Sequence, residues 1–111
     1  LIAFYEADAA TAAPDLALPS AATLADAYPN PFNPSVTLAY ALPRAGAASL
    51  TVYDARGREV VRLADGHHAA GRHTVRWQGV DRAGRSLPSG VYLAVLRAAD
   101  TTTGQKLLLA K

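Results

Sequence analysis

The side chains best suited to chemistry in this 111-residue chain are three histidines and one turn serine. His67 and His68 are adjacent in a glycine-flanked segment, and His73 follows five residues later. No H-x-H or H-E-x-x-H spacing occurs, so the sequence predicts no shared metal ion. The chain has no cysteine, and Ser89 lies in a Pro-Ser-Gly turn without a base nearby in sequence. We therefore expect no catalytic residue, no metal site and no cofactor.

Asp81 and Trp77 each have a structural and a functional interpretation. Asp81 in GVDRAGR is typical of a turn in which a carboxylate accepts backbone N–H bonds and Gly84 takes a positive φ. A calcium site would need several more oxygen ligands, and this loop carries one carboxylate. Trp77 falls on the inward face of its predicted strand, which favours a core aromatic over a ligand platform.

The charge is unevenly distributed along the chain. Residues 1–43 contain four acidic residues and no Lys or Arg, whereas residues 44–111 contain all 11 basic residues and five acidic ones. The arginines are spread singly, which favours solvated strand faces over a nucleic-acid interface. No apolar run approaches the roughly 18 residues that a membrane span needs.

The elements that must position these residues are short strands. From Val36 onward apolar residues alternate with small or polar ones, first in SVTLAYAL, then in ASLTVYD, EVVRL, RHTVRWQG, VYLAVLR and QKLLLA. Turn sequences such as PRAG, DARGR and DTTTG separate them, and ADGHHAAG is predicted to be a loop. The pattern predicts an all-β fold: an antiparallel Ig-like β-sandwich of about seven strands.

Residues 1–27 have a different composition from the body at 28–111. LIAFYEA is a short strand-like run, and residues 8–27 are rich in Ala, Pro, Thr and Ser. Pro14 and Pro19 interrupt any helix that the alanines would favour. We predict an extended N-terminal arm made of a strand-like segment and a linker.

A proline-rich segment, YPNPFNP at 28–34, leads into the first strand. Its prolines fix φ, push their predecessors away from helix and offer no N–H to a stray strand. Phe32, held between them, is predicted to anchor the segment in one end of the sandwich.

Several motifs occur in an order that carries a family resemblance: YPNPFNPSVTLAYAL, then Gly-x-His-x-Val-x-Trp, Asp-x-x-Gly, Ser-Gly-Val-Tyr and a terminal QKLLLAK. This series resembles the type A C-terminal sorting domain of proteins exported by the type IX (Por) secretion system. It is also similar to the Ig-like domain of the flagellar hook-capping protein. The resemblance covers residues 28–111.

The family's motifs fall on fifteen positions that we treat as the sorting motif: Pro29, Asn30, Pro31, Gly71, Trp77, Asp81, Gly84, Ser89, Gly90, Val91, Tyr92, Lys106, Leu107, Leu109 and Lys111. The resemblance implies a non-catalytic sorting or anchoring module at the end of a secreted or cell-surface protein. It implies passage through the periplasm, recognition by an outer-membrane secretion translocon and, in many members, removal by a surface peptidase. The last strand then either has a purely structural role or serves as an edge for β-augmentation by the translocon.

The N-terminal segment allows a second hypothesis. Leu1, Ile2, Phe4 and Tyr5 form an apolar strand that either packs on its own module or an upstream domain, or is donated to a neighbouring copy. A linker of about 20 residues spans on the order of 60 Å when extended. Head-to-tail strand donation does not close on itself, so this alternative predicts a homo-oligomer or an extracellular filament.

Overall fold

The computed structural model describes residues 21–99 and 101–111, and these form seven strands without a helix. Accordingly, this part of the chain contains no helix long and apolar enough to cross a membrane. The predicted all-β fold is confirmed. The strands are β1 (Thr23–Leu24), β2 (Val36–Leu42), β3 (Gly46–Tyr53), β4 (Glu59–His68), β5 (Gly71–Trp77), β6 (Gly90–Ala98) and β7 (Thr101–Leu109).

The strands form two antiparallel sheets. One has the order β1-β2-β5 and the other the order β4-β3-β6-β7, so β7 lies at a sheet edge. Along the strands of both sheets, buried side chains alternate with more exposed ones, and the inward-facing side chains of the two sheets form one core. The fully buried side chains include Leu38 from the first sheet and Leu50, Val52, Leu96 and Leu107 from the second. Each such side chain stabilises the fold by roughly 1.5–3 kcal/mol relative to exposure.

Two ends of the sandwich can be distinguished by strand direction. The terminal end contains the start of β2 and β6 and the end of β5 and β7, where Val36 pairs with Trp77 and Gly90 with Leu109. The opposite end contains the pairs Leu42–Gly71 and Ala98–Thr101.

One loop prediction and one turn prediction were wrong. β4 continues through His68, because residues 64–68 pair with β3 as far as Gly46. β7 begins at Thr101, so most of the predicted DTTTG turn is strand. These stretches are largely exposed and polar, so no apolar alternation marks them in the sequence. They are strands because they hydrogen-bond to a neighbouring strand.

Residues 21–28 lie against the body of the domain. Thr23 and Leu24 pair with β2, and the Ala25 N–H donates to the Ala39 carbonyl over 2.8 Å. Ala22 and Ala27 are buried in the core. This part of the predicted linker is therefore packed, and residues 1–20 lie outside the described residues.

Candidate recognition surface

The proline segment, residues 28–34, lies along the outer edge of β7. The Phe32 N–H donates to the Leu108 carbonyl over 2.9 Å, and the Ala110 N–H donates to the Phe32 carbonyl over 3.0 Å. Phe32 forms a parallel bridge with Leu109. The segment therefore covers the edge of the C-terminal half of β7, which would otherwise present unpaired peptide groups.

Asn30 supplies the hydrogen bonds that its neighbouring prolines cannot. Pro29 and Pro31 have no N–H, so they cannot donate to a strand. The Asn30 side-chain Nδ2 donates to the Lys106 carbonyl over 2.9 Å, and its Oδ1 accepts the Leu108 N–H over 2.9 Å. The side-chain amide thus replaces a backbone peptide group in the ladder, which explains the asparagine between two prolines.

Replacing Asn30 with alanine should destabilise the domain by about 1–2 kcal/mol, because both hydrogen bonds to β7 are lost. Chemical denaturation of the two proteins measures the difference. Asn33→Ala is the matched control, since Asn33 also precedes a proline but makes no side-chain hydrogen bond within residues 21–99 and 101–111. Equal losses from the two substitutions would show that Asn30 has no special role.

Beneath the proline segment, three aromatic side chains form the core of the terminal end. The Trp77 ring lies 5.5 Å from Phe32 and 5.5 Å from Tyr92, measured between ring centroids. Trp77 Nε1 donates to the Val80 carbonyl over 2.8 Å, and the Tyr92 hydroxyl donates to the Pro88 carbonyl over 2.7 Å. Burial raises the pKa of Tyr92. The prediction that Trp77 and Phe32 are core residues is confirmed.

The end of β7 is held by two further contacts. A Cβ at Gly79 would lie 3.3 Å from the Leu109 Cδ2 atom, and Gly79 has a φ of 69°, so a larger residue there would displace Leu109. The Lys111 N–H donates to the Ser89 hydroxyl over 3.0 Å. The chain's last residues therefore lie against the turn before β6.

Asp81 closes a turn, as predicted. Its Oδ1 accepts the N–H groups of Ala83 and Arg85, each over 2.9 Å, and its Oδ2 accepts Arg85 Nε over 3.0 Å. Gly84 has a φ of 83°. The hydrogen bond from the Arg85 N–H, followed by that from Ala83 and the Arg85 charge, lowers the pKa of Asp81, although partial burial opposes this.

Asp54 makes the same arrangement, which the sequence analysis missed. Its Oδ1 accepts the N–H groups of Arg56 and Arg58, and its Oδ2 lies 3.4 Å from Arg58 Nε. The hydrogen bond from the Arg58 N–H is the main interaction that lowers the pKa of Asp54. The signal was present, because DARGR and DRAGR share the pattern D-x-x-G-R.

These pKa shifts predict how acid affects the domain. Because the pKa of Asp81 is lower in the folded state than its ordinary value, the carboxylate stabilises the fold above that value, and the contribution disappears as the pH falls through the folded pKa. Asp81→Asn should therefore lower the melting temperature at pH 7 and have a progressively smaller effect below about pH 4. Thermal melts at several pH values measure this.

Asp26→Asn serves as the control, since Asp26 is exposed and has no hydrogen bond or ion pair within the described chain. A difference between wild type and Asp81→Asn that stayed constant from pH 7 to pH 2 would argue against a role for the Asp81 charge.

The structure brings most of the sorting-motif residues together at the terminal end, but on two different faces. Trp77, Tyr92, Leu107 and Leu109 point into the core. Gly71 is not among them, since it pairs with Leu42 at the opposite end. The motif therefore contains both packing residues and residues available to a partner.

Two residues of the motif, Val91 and Lys106, lie with Leu93 and Leu108 on the exposed face of the β4-β3-β6-β7 sheet. Val91 pairs directly with Leu108, and Leu93 pairs with Lys106. Val91, Leu93 and Leu108 are 43%, 42% and 40% exposed, although all three are large apolar side chains. We name this group, with Lys106, the outer patch. Contiguous exposed apolar side chains with a polar rim are typical of interaction sites.

The histidines lie in a different region. His68 and His73 pack against Tyr40 with ring-centroid distances of 5.9 Å and 5.2 Å. Burial raises the pKa of Tyr40. Within residues 21–99 and 101–111, no three His, Asp or Glu side chains are grouped to hold a metal ion. Leu1, Ile2, Phe4 and Tyr5 lie outside the described residues, so strand donation stays a prediction.

Comparison with known families gives a direct assignment. The family model described as the FlgD Ig-like domain matches residues 33–102, more than half of the chain. The chain belongs to the FlgD Ig-like domain family. FlgD from P. aeruginosa has 28% sequence identity and a TM-score of 0.52, with 68% of this chain and 60% of that one covered. FlgD from Xanthomonas campestris, a hook-capping protein essential for flagellar assembly, has 29% identity and a TM-score of 0.52, with 82% and 63% covered.

Two proteins of Porphyromonas gingivalis share the fold of this FlgD-like domain. Dimeric latent PorU has 19% identity and a TM-score of 0.60, with 79% of this chain and 9% of PorU covered. PorZ, a surface component of the type-IX secretion system, has 20% identity and a TM-score of 0.52, with 81% and 11% covered. The FlgD-like domain thus spans under two thirds of the FlgD chains and about a tenth of PorU and PorZ. No curated protein sequence matches it.

Proposed function

We propose that this FlgD-like domain is a non-catalytic sorting or anchoring module of a secreted or cell-surface protein, recognised by type IX secretion machinery. The proposed partners are an outer-membrane translocon and a surface peptidase, reached through the periplasm. The main observation in support is that hydrogen bonds join the proline segment, the turn at Ser89 and the C-terminal strand at one end of the sandwich. The occurrence of this fold in PorZ, a surface component of that secretion system, supports the same proposal.

The contacts that hold β7 indicate what a receptor would recognise on such a module. Asn30 and Phe32 hold β7 in place through contacts to residues more than 70 positions away in sequence. The outer patch is therefore assembled only when both ends of the domain have folded together. A receptor that binds this patch would select folded cargo tails and would not respond to an isolated C-terminal peptide.

The N-terminal half of β7 has outward-facing peptide groups that offer a complementary contact in the part of the chain that the structure describes. Because the Leu108 N–H and carbonyl point away from β6, the same groups of Thr102 and Gly104 also point outward. Among the described residues, no hydrogen bond to the outward N–H and carbonyl groups of Thr102 and Gly104 is seen. A strand of the translocon would extend the sheet here by β-augmentation, beside the outer patch.

Export of a reporter fusion tests the proposal. Residues 21–111 should be fused to the C-terminus of a folded periplasmic reporter, since Ala22 and Ala27 belong to the core. In a host with a type IX system we expect the reporter on the surface or in the medium. Retention of the fusion in the periplasm, while the host's own cargo is exported normally, would refute the proposal.

A further inference from the structure

Two loops at the terminal end of the sandwich share the pattern D-x-x-G-R and the same hydrogen bonds. Residues 54–58 connect β3 to β4, and residues 81–85 lie between β5 and β6. Each begins with an aspartate whose backbone N–H donates to the carbonyl of the arginine four residues later, over 2.9 Å. The Arg82 N–H donates to the Val60 carbonyl over 3.1 Å, which places the second loop beside the first.

In each loop the aspartate side chain is largely buried and the arginine side chain is exposed. The side chains of Asp54 and Asp81 are only 18% and 17% exposed, whereas those of Arg58 and Arg85 are 77% and 80% exposed. The aspartates are occupied by backbone N–H groups and by the Nε atoms of these arginines. The negative charge is therefore satisfied inside each loop, and each guanidinium projects into solvent.

Arg56 and Arg82 add positive charge without a compensating acid. Both are exposed, and neither side chain makes an ion pair or hydrogen bond within residues 21–99 and 101–111. Four arginines thus face two aspartates that are already paired. Guanidinium groups bind phosphate and carboxylate oxygens through paired N–H donors, so such a cluster favours an oxyanion.

A cavity beside the first loop gives this charge a defined place. Its volume is about 400 Å³, within the range of small-molecule sites. The lining includes the donors Arg56, Arg58 and Ser89 and the apolar side chains Val60, Leu87 and Val91. Asp54 also lines it, but its carboxylate already accepts the N–H groups of Arg56 and Arg58. A group entering it would meet guanidinium and hydroxyl donors beside apolar side chains.

We propose that the terminal end binds an oxyanion group, a phosphate, sulfate or carboxylate, in the cavity that the 54–58 loop and the turn before β6 line, next to the 81–85 loop. Arg56 and Arg58 donate from the first loop, and Arg82 strengthens the local positive potential from the second. The cavity adjoins the outer patch, since Val91 borders both, but oxyanion binding goes beyond the proposed sorting function and is measured on the isolated domain. Failure of export would leave it unaffected, and failure of oxyanion binding would leave the sorting proposal unaffected.

Titration of the full 111-residue chain with inorganic phosphate at low ionic strength, followed by amide NMR, tests the site. We expect saturable shifts centred on residues 54–60 and 81–85. The double substitution Arg56→Ala/Arg82→Ala should weaken binding about tenfold or more, because charged hydrogen bonds and local potential are lost. Arg44→Ala removes one positive charge at the opposite end and should change the affinity less than about twofold.

A parallel arm with phosphatidylglycerol vesicles, compared with phosphatidylcholine vesicles, separates a free oxyanion from a lipid headgroup. Local shifts with phosphate alone assign the site to a free oxyanion, and vesicle binding that also depends on Arg56 and Arg82 adds a headgroup as a source. Shifts spread over the whole surface, or equal weakening by Arg44→Ala, would overturn the site. Vesicle binding without any local response to phosphate would overturn it too.

Discussion

Replacing Trp77 with alanine is expected to lower the free energy of unfolding by about 3–5 kcal/mol. The side chain is 2% exposed and lies between Phe32 and Tyr92, so its removal leaves a cavity among aromatic rings that the sheets cannot close. The hydrogen bond from Nε1 to the Val80 carbonyl is lost as well, which frees the connection after β5. Chemical denaturation of the purified domain measures the loss.

Two further variants separate the contributions at Trp77. Trp77→Phe keeps most of the ring volume but not the hydrogen bond to Val80, so it should cost about 1–3 kcal/mol. Val75→Ala, two residues earlier on the same strand face and only partly buried, should cost about 1 kcal/mol. A loss for Trp77→Ala no greater than that for Val75→Ala would show that the three aromatic rings do not form the core of this end.

The alternating pattern predicted the strands whose one face is buried. In β2, Val36, Leu38 and Tyr40 are buried, whereas Thr37 and Ala39 are partly exposed. Burial of one face imposes the period of two, so the sequence carries a visible signal there. Residues 65–67 of β4 are exposed, so no alternation of apolar residues marks them, and their pairing with β3 makes them a strand.

The sequence analysis selected part of the candidate surface, including Val91 and Lys106 but not Leu93 or Leu108, and did not predict its arrangement. Family resemblance selected both Asn30 and Lys106, yet the contact between them depends on β7 being a sheet edge, which is a property of the topology. Likewise, alternation predicts that neighbours on β6 and β7 point to opposite faces. It does not predict that Val91 pairs with Leu108, since register depends on the turn between the two strands.

Substituting both Val91 and Leu108 with glutamate should block export without unfolding the domain. Both side chains are partly exposed on the outer sheet face, and although the two opposed glutamates repel each other, the cost should be about 1 kcal/mol and the domain should stay folded. In a receptor interface the same change removes two apolar contacts and buries two carboxylates, which should lower the exported fraction about tenfold or more. Thr74→Glu, exposed on the other sheet, is the control and should be exported like wild type.

The most direct measurement is the extracellular fraction of the reporter fused to residues 21–111, compared among wild type, Val91→Glu/Leu108→Glu and Thr74→Glu. All three domains should first be shown to be folded at the growth temperature by thermal melts. We predict that wild type and Thr74→Glu are exported and that the Val91→Glu/Leu108→Glu fusion accumulates in the periplasm. Equal export of all three, with folding intact, would contradict recognition of the outer patch.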